Sequence, residues 1–128
     1  MKHLFIINPA AGSRDRTEKY RREIESICGK KGLDYKIHVS AAPGDCYRAA
    51  REAALTGEEY RLYACGGDGT LNEVAAGAAG YPNAAVTCYR GGRYRDPIVQ
   101  APAAAGLFND FRIHFRPVLA ACRRIDDE

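Results

Sequence analysis

The amino-acid sequence predicts an α/β fold, in which a parallel sheet has helices on both faces. Apolar runs typical of strands alternate with segments of helical periodicity over residues 1–89. Turn-forming residues separate these segments. Strands and helices that alternate at this spacing favour parallel strands joined by crossover helices. The 128 residues, 46% of them hydrophobic, are enough for about one domain with a buried core.

The first strand and helix have clear signals. Residues 3–8 contain four consecutive apolar residues, as in a strand that is buried on both faces. The segment Asn8–Gly12 then interrupts the strand with turn chemistry. Helical spacing predicts a helix over residues 16–31, whose buried side is formed by Tyr20, Ile24, Ile27 and Cys28.

The second strand and helix are predicted with a different pattern. Alternation of apolar and polar residues indicates a strand over residues 34–40 that lies near an edge of the sheet. Pro43-Gly44 marks the loop that follows, and Asp45 is a candidate cap for the next helix. That helix is alanine-rich and is expected over residues 46–57.

The third strand and helix are joined by the most informative loop of the sequence. A short strand over residues 61–67 precedes Thr70-Leu71-Asn72-Glu73, which fits the capping box of a helix over residues 70–79. A fourth strand is predicted over residues 84–89. The sequence therefore predicts four strands and three helices before residue 90.

The Gly66–Thr70 loop, GGDGT, is a candidate phosphate site. Glycines at the start of a helix let backbone N–H groups approach an anion closely. The alternative is a plain turn, in which the glycines supply positive φ and Thr70 caps the helix. The segment Asn8–Gly12 and Ser40 fall at the same carboxyl edge of the predicted sheet, where ligands of such sheets bind. This convergence favours binding of nucleotide phosphates.

Composition excludes several other classes of protein. No stretch approaches the ~18 apolar residues of a membrane span, and the first residues lack the long apolar core of a secretory signal, so we expect a cytoplasmic protein. A net charge of +3 is too small to indicate a nucleic-acid partner. The five cysteines form no C-x-x-C pair, and the three histidines lack helical ligand spacing, so they do not indicate a metal site.

Two segments resemble the catalytic-domain signatures of the diacylglycerol kinase family, which also includes bacterial lipid kinases and the sphingosine and ceramide kinases. They are NPAAG at residues 8–12 and GGDGTLNEV at residues 66–74. A GGDG[TS] loop is shared with NAD kinases and phosphofructokinases, whereas the continuation through residues 71–74 resembles the lipid-kinase branch. The resemblance covers residues 1–89 and implies a Rossmann-like three-layer fold, as in the N-terminal domain of diacylglycerol and NAD kinases.

The resemblance implies an ATP-dependent lipid kinase that transfers the γ-phosphoryl group of ATP to a lipid hydroxyl, with this chain as the ATP-binding domain. ATP and Mg²⁺ are the implied cofactors, and diacylglycerol or a similar lipid is the implied substrate, with peripheral membrane contact. Two other hypotheses stay open. One is a nucleotide-binding module without catalysis, and the other is an interaction domain that binds anionic partners. The sequence does not indicate an oligomeric state.

Asp68 needs an explanation, because a carboxylate close to phosphates is repelled by about 4 kcal/mol at ~4 Å unless a partner offsets it. The resemblance implies that Asp68 is the catalytic residue that organises Mg²⁺. Ser40 and Glu73 also fit local roles, as a loop cap and as the capping-box acid. The nucleotide-binding residues that the resemblance implies are Asn8, Pro9, Gly12, Ser40, Gly66, Gly67, Asp68, Gly69, Thr70, Leu71, Asn72 and Glu73.

Residues 90–128 depart from the family pattern. Members of the family continue after their fourth strand with the motif Pro-x-Gly-Thr-x-Asn-Asp-Phe, which is not recognisable after Tyr89 in this sequence. The tail contains seven arginines and no lysine. We therefore divide the chain into a nucleotide-binding core, residues 1–89, and a divergent tail, residues 90–128. An insertion, an arginine-bearing binding surface, a flexible terminus and an altered reading frame all fit the tail. The family's second, lipid-binding domain is not present in these residues, so we expect this chain alone to be inactive.

Overall fold

The computed structural model describes residues 1–10 and 14–89, which form a single parallel sheet with three helices. No helix in these residues is long and apolar enough to cross a bilayer. The predicted tail and Gly12 lie outside the described residues, so the division at residue 89 stays a prediction. The elements are β1 (Lys2–Ile7), α1 (Thr17–Lys31), β2 (Tyr35–Val39), α2 (Asp45–Leu55), β3 (Tyr60–Cys65), α3 (Asp68–Ala78) and β4 (Ala84–Tyr89).

The strand order of the sheet is β2-β1-β3-β4, and every neighbouring pair is parallel. β2 lies at an edge, as its alternating pattern predicts, and the apolar strand β1 lies between two neighbours. Ile7 is in register with Val39 on one side and with Cys65 on the other. The carboxyl ends of β1, β2 and β3 are therefore level with one another.

Two separate groups of buried side chains cover the two faces of the sheet, which confirms the three-layer α/β prediction. One face packs small residues of α2 and α3 against Leu4, Ile6, Leu62, Ala64 and Val86. The other face packs Tyr20, Ile24 and Cys28 of α1 against Phe5, Ile7, Tyr63, Cys65 and Tyr89.

The ends of α1 and α2 show which local signals were correct. Gly32 ends α1 in the left-handed conformation, with φ of 62°, after two lysines in the last turn. The predicted capping role of Asp45 is wrong. Gly44, with φ of 85°, is the N-cap of α2, Asp45 is the first helical residue, and no side chain caps this helix.

A close approach between α2 and α3 fixes the position of α3. A Cβ atom added at Gly77 would lie 2.4 Å from the backbone oxygen of Tyr47 and 2.9 Å from Cβ of Ala50. Only glycine leaves room for this contact. The packing of α3 on α2 thereby determines where the N-terminus of α3 lies at the carboxyl edge of the sheet.

Candidate functional site

The loops that follow β1, β2 and β3 start side by side. The backbone N–H of Asn8 donates to the carbonyl oxygen of Cys65 at 3.2 Å, and the N–H of Ser40 donates to the oxygen of Ile7 at 2.8 Å. These bonds extend the sheet hydrogen bonding by one residue into the loops. The convergence of three loops that the sequence predicted is therefore present at this edge.

The side chain of Asn8 connects the β1–α1 loop to α3. Its Nδ2 donates to Oγ1 of Thr70 at 3.2 Å, and its Oδ1 accepts from the N–H of Ala10 at 3.1 Å. The second bond closes a short turn that contains Pro9. The side chain of Asn8 thus spans two loops that are 62 residues apart in the sequence.

The N-terminus of α3 is not capped by the predicted capping box. The helix begins at Asp68 with Gly67 as its N-cap, and among the side chains that the structure describes none caps it. Its first helical bond runs from the N–H of Leu71 to the oxygen of Gly67 at 3.2 Å. Thr70 is therefore inside the helix, and its hydroxyl accepts from Asn8. The N–H groups of the first turn have no acceptor within the helix.

Gly67 and Gly69 leave open space beside this N-terminus. A Cβ atom at either position would meet nothing within 4 Å, and neither glycine has a positive φ. Gly67 is extended, with φ of −87° and ψ of −167°. The plain-turn explanation, in which these glycines supply positive φ, is therefore wrong for Gly67 and Gly69. An uncapped helix N-terminus with open space beside it fits an anion such as phosphate.

The predicted metal role of Asp68 stays a prediction. The structure describes its backbone, at the first position of α3, but not its side chain. Among the described side chains, no group of three His, Cys, Asp or Glu residues is arranged to hold a metal ion. Mg²⁺ commonly binds through one or two carboxylates together with phosphate oxygens. One aspartate beside a candidate phosphate site therefore fits a nucleotide-bound Mg²⁺.

The remaining predicted residues on α3 lie on different sides of the helix. Leu71 is buried in the core with only 2% of its surface exposed, whereas Asn72 is exposed. Glu73 is half-buried and, like Ser40, interacts with the thiol of Cys46 on α2. Burial is the main reason why the pKa of Cys46 is raised. The predicted capping-box acid thus lies against α2.

The β2–α2 loop is closed by its own polar groups. The Ser40 hydroxyl donates to the oxygen of Ala42 at 3.2 Å, which fits the local role that the sequence left open. Asp45 interacts with Nε2 of His38 at 2.9 Å and accepts from the N–H of Ala41 at 3.1 Å and from Nε of Arg48 at 3.0 Å. These bonds, that of His38 foremost, hold the pKa of Asp45 well below its usual range.

Sequence reasoning missed the interactions of Asp45. The spacing of Asp45 and Arg48, three residues apart at the start of a helix, is a signal that could have found one of them. The contact with His38 joins the end of a strand to the start of the next helix, and no local rule predicts it.

Comparison with known proteins identifies a single family. A family model described as diacylglycerol kinase catalytic domain matches residues 2–117, which extends beyond the last described strand. A diacylglycerol kinase from Bacillus subtilis (strain 168) is 37% identical over 79 residues, which are 62% of this chain and 25% of that protein. A second protein of the same organism, YtlR, is named as a lipid kinase. It is 32% identical over 100 residues, which are 75% of this chain and 32% of that protein.

A solved structure shares the fold. The crystal structure of a diacylglycerol kinase from Bacillus anthracis str. Sterne superimposes with a TM-score of 0.53 at 24% identity, and the match covers 72% of this chain and 34% of that one. This likeness concerns the α/β fold alone. The chain spans between about a quarter and a third of the length of these relatives.

Proposed function

Since the chain belongs to the diacylglycerol kinase catalytic domain family, we propose that it is the ATP-binding part of a lipid kinase that transfers the γ-phosphoryl group of ATP to a lipid hydroxyl. The acceptor in this proposal is diacylglycerol or a similar lipid, reached by peripheral contact of a cytoplasmic enzyme with the membrane. The observation that supports ATP binding most directly is the uncapped N-terminus of α3 beside Gly67 and Gly69.

In this proposal, the phosphates of ATP lie against the start of α3. The N–H groups of its first turn donate to phosphate oxygens, and the helix dipole favours their negative charge. Gly66, Gly67 and Gly69 carry no side chains that would keep the phosphates away. Ser40 lies at the adjacent strand end, since its N–H is bonded to Ile7.

Phosphoryl transfer depends on positioning and on neutralising charge. Mg²⁺, when bound with the nucleotide, supplies charge neutralisation on the phosphates. In this proposal Asp68 holds that Mg²⁺, directly or through water, which explains an acidic residue in a phosphate-binding loop. The sheet and α2 keep the N-terminus of α3 fixed, so that the phosphate-binding N–H groups are oriented before ATP binds.

The first test is Mg-ATP binding by a Gly67→Val variant, measured by isothermal titration. A valine side chain fills the open space at the helix N-terminus, so we expect the dissociation constant to rise at least tenfold. Gly29→Val is the matched control, because Gly29 also has nothing within 4 Å of an added Cβ and lies in α1, away from the site. Equal binding by both variants and the parent would contradict the proposed phosphate position.

The second test concerns Mg²⁺. Asp68→Asn keeps the size of the side chain and removes its charge, so the gain in ATP affinity that Mg²⁺ gives to the parent should be largely lost. Binding of ATP without Mg²⁺ should be equal or tighter, because the asparagine no longer repels phosphate. If the variant binds Mg-ATP as the parent does, the metal role of Asp68 is wrong.

A further inference from the structure

Asn8 holds three parts of the carboxyl edge together. Its backbone N–H donates to the oxygen of Cys65 at the end of β3. Its side chain accepts from Ala10 in its own loop and donates to Thr70 in α3. Because the N–H of Ala10 can only donate, the amide must turn its oxygen to Ala10 and its nitrogen to Thr70. The bond to Thr70 therefore has a defined direction.

Thr70 is well placed to pass this constraint to the helix. It is the third residue of α3 and only 3% exposed, so its hydroxyl needs a partner within the protein. The N-cap of α3, Gly67, has no side chain, and the first helical bond runs from Leu71 back to Gly67. In addition to the packing of α3 on α2 and the sheet, the bond from Asn8 therefore holds this turn in place.

We propose that Asn8 is a positioning residue, which orients the first turn of α3 for phosphate through its hydrogen bond to Thr70. This inference rests on the proposed function. It adds a role to the nucleotide contact that the family resemblance implies for Asn8, because one N–H and the oxygen of its amide are bonded within the protein. The amide has a second N–H, so the positioning role does not depend on whether Asn8 also contacts phosphate.

A double-mutant cycle tests the proposal through the dissociation constant of Mg-ATP. Asn8→Ala and Thr70→Val each remove one side of the same bond, and Thr70→Val keeps the shape of the side chain. We expect each variant to bind Mg-ATP about tenfold more weakly, the size of one neutral hydrogen bond. The double variant should be about as weak as Asn8→Ala alone, because the bond can be lost only once.

Thr70→Ser is the conservative control. It keeps the hydroxyl that accepts from Asn8, so its dissociation constant should stay within about twofold of the parent's. If the effects of Asn8→Ala and Thr70→Val multiply, Asn8 contacts the nucleotide independently of Thr70 and the proposal is overturned. A lower melting temperature with an unchanged dissociation constant also overturns it, since the bond would then serve stability alone.

These outcomes separate this inference from the proposed function. If the parent chain does not bind Mg-ATP, the proposed function fails and Asn8 has no phosphate site to position. If the parent binds Mg-ATP and the cycle is multiplicative, only the role of Asn8 fails.

Discussion

The β2–α2 loop and the β3–α3 loop use the same residue types in opposite ways. Both join a parallel strand to a helix whose N-cap is glycine and whose first residue is aspartate. Gly44 has a positive φ of 85°, so glycine is needed there for the backbone itself. Gly67 has an extended backbone that other residues adopt readily, and the space where its side chain would lie is open.

The two loops also differ in the hydrogen-bond partners of their polar groups. In the β2–α2 loop, the carboxylate of Asp45 bonds to His38, Ala41 and Arg48. The Ser40 hydroxyl donates to a carbonyl oxygen of the same loop. In the described part of the chain, neither α2 nor α3 has a side-chain cap on its glycine N-cap, but near the start of α3 the hydroxyl of Thr70 accepts from Asn8, in the β1–α1 loop. The β2–α2 loop is therefore closed by its own polar groups, whereas the start of α3 is joined to a neighbouring loop, although both loops look alike in sequence.

The largest expected effect concerns the packing that holds α3, and with it the β3–α3 loop, against α2. Gly77→Ala should lower the free energy of unfolding by about 2–3 kcal/mol, because the new Cβ overlaps the backbone oxygen of Tyr47 and the two helices must separate. Urea denaturation measures this change.

Gly29→Ala is the control for Gly77→Ala. It adds the same methyl group within a helix where nothing lies within 4 Å, so it should raise the free energy of unfolding by roughly 0.5 kcal/mol. If the two substitutions have the same sign, the close approach of α2 and α3 at Gly77 does not limit stability.

The next effect tests the contrast between the two N-caps with one substitution. Gly44→Ser should cost about 1 kcal/mol, because serine is unfavourable in the left-handed conformation. Gly67→Ser should change stability by only a few tenths of a kcal/mol, and in the stabilising direction, because serine is a favoured N-cap with an extended backbone. Chemical denaturation of both variants measures the difference, and equal losses would remove the distinction between the loops.

The same Gly67→Ser variant also bears on function. A serine hydroxyl that caps α3 takes up an N–H group that we propose for phosphate. We therefore expect weaker Mg-ATP binding in a protein that is no less stable. A variant with unchanged affinity would show that this N–H group is not needed for the nucleotide.

The sequence predicted the order and type of all the elements in residues 1–89, because each strand and helix has a periodic apolar pattern with turn residues between. It was less reliable at helix starts. Thr70 and Glu73 have capping-box spacing, but the helix begins two residues earlier, where Gly67 is extended and Thr70 is held by Asn8. Local spacing cannot reveal a bond between residues 62 positions apart.

Prediction of the site was limited by the same cause. The glycine loop could be found from residue types alone, since glycines at a helix start let backbone N–H groups approach an anion. The hydrogen bonding that closes the β2–α2 loop could not be predicted in this way, because the partner of Asp45 across the loop is His38, which lies on a strand. Sequence alone therefore located the phosphate candidate but did not separate a closed loop from an open one.

The smallest expected effect is the acid sensitivity of the β2–α2 loop. The pKa of Asp45 is depressed in the folded protein, so its contribution to stability is present above the unfolded pKa of about 3.9 and is lost as pH falls towards the folded value. Below about pH 4 the unfolded chain binds up to one proton more at this residue than the folded protein does. Unfolding measured between pH 5 and about pH 2.5 should therefore lose stability less steeply in Asp45→Asn than in the parent. Glu52→Gln is the control, because Glu52 is exposed and contacts only the far side of the same Arg48, and its acid slope should match the parent's. Parallel slopes for Asp45→Asn and the parent would show that the bonds of Asp45 do not close this loop in solution.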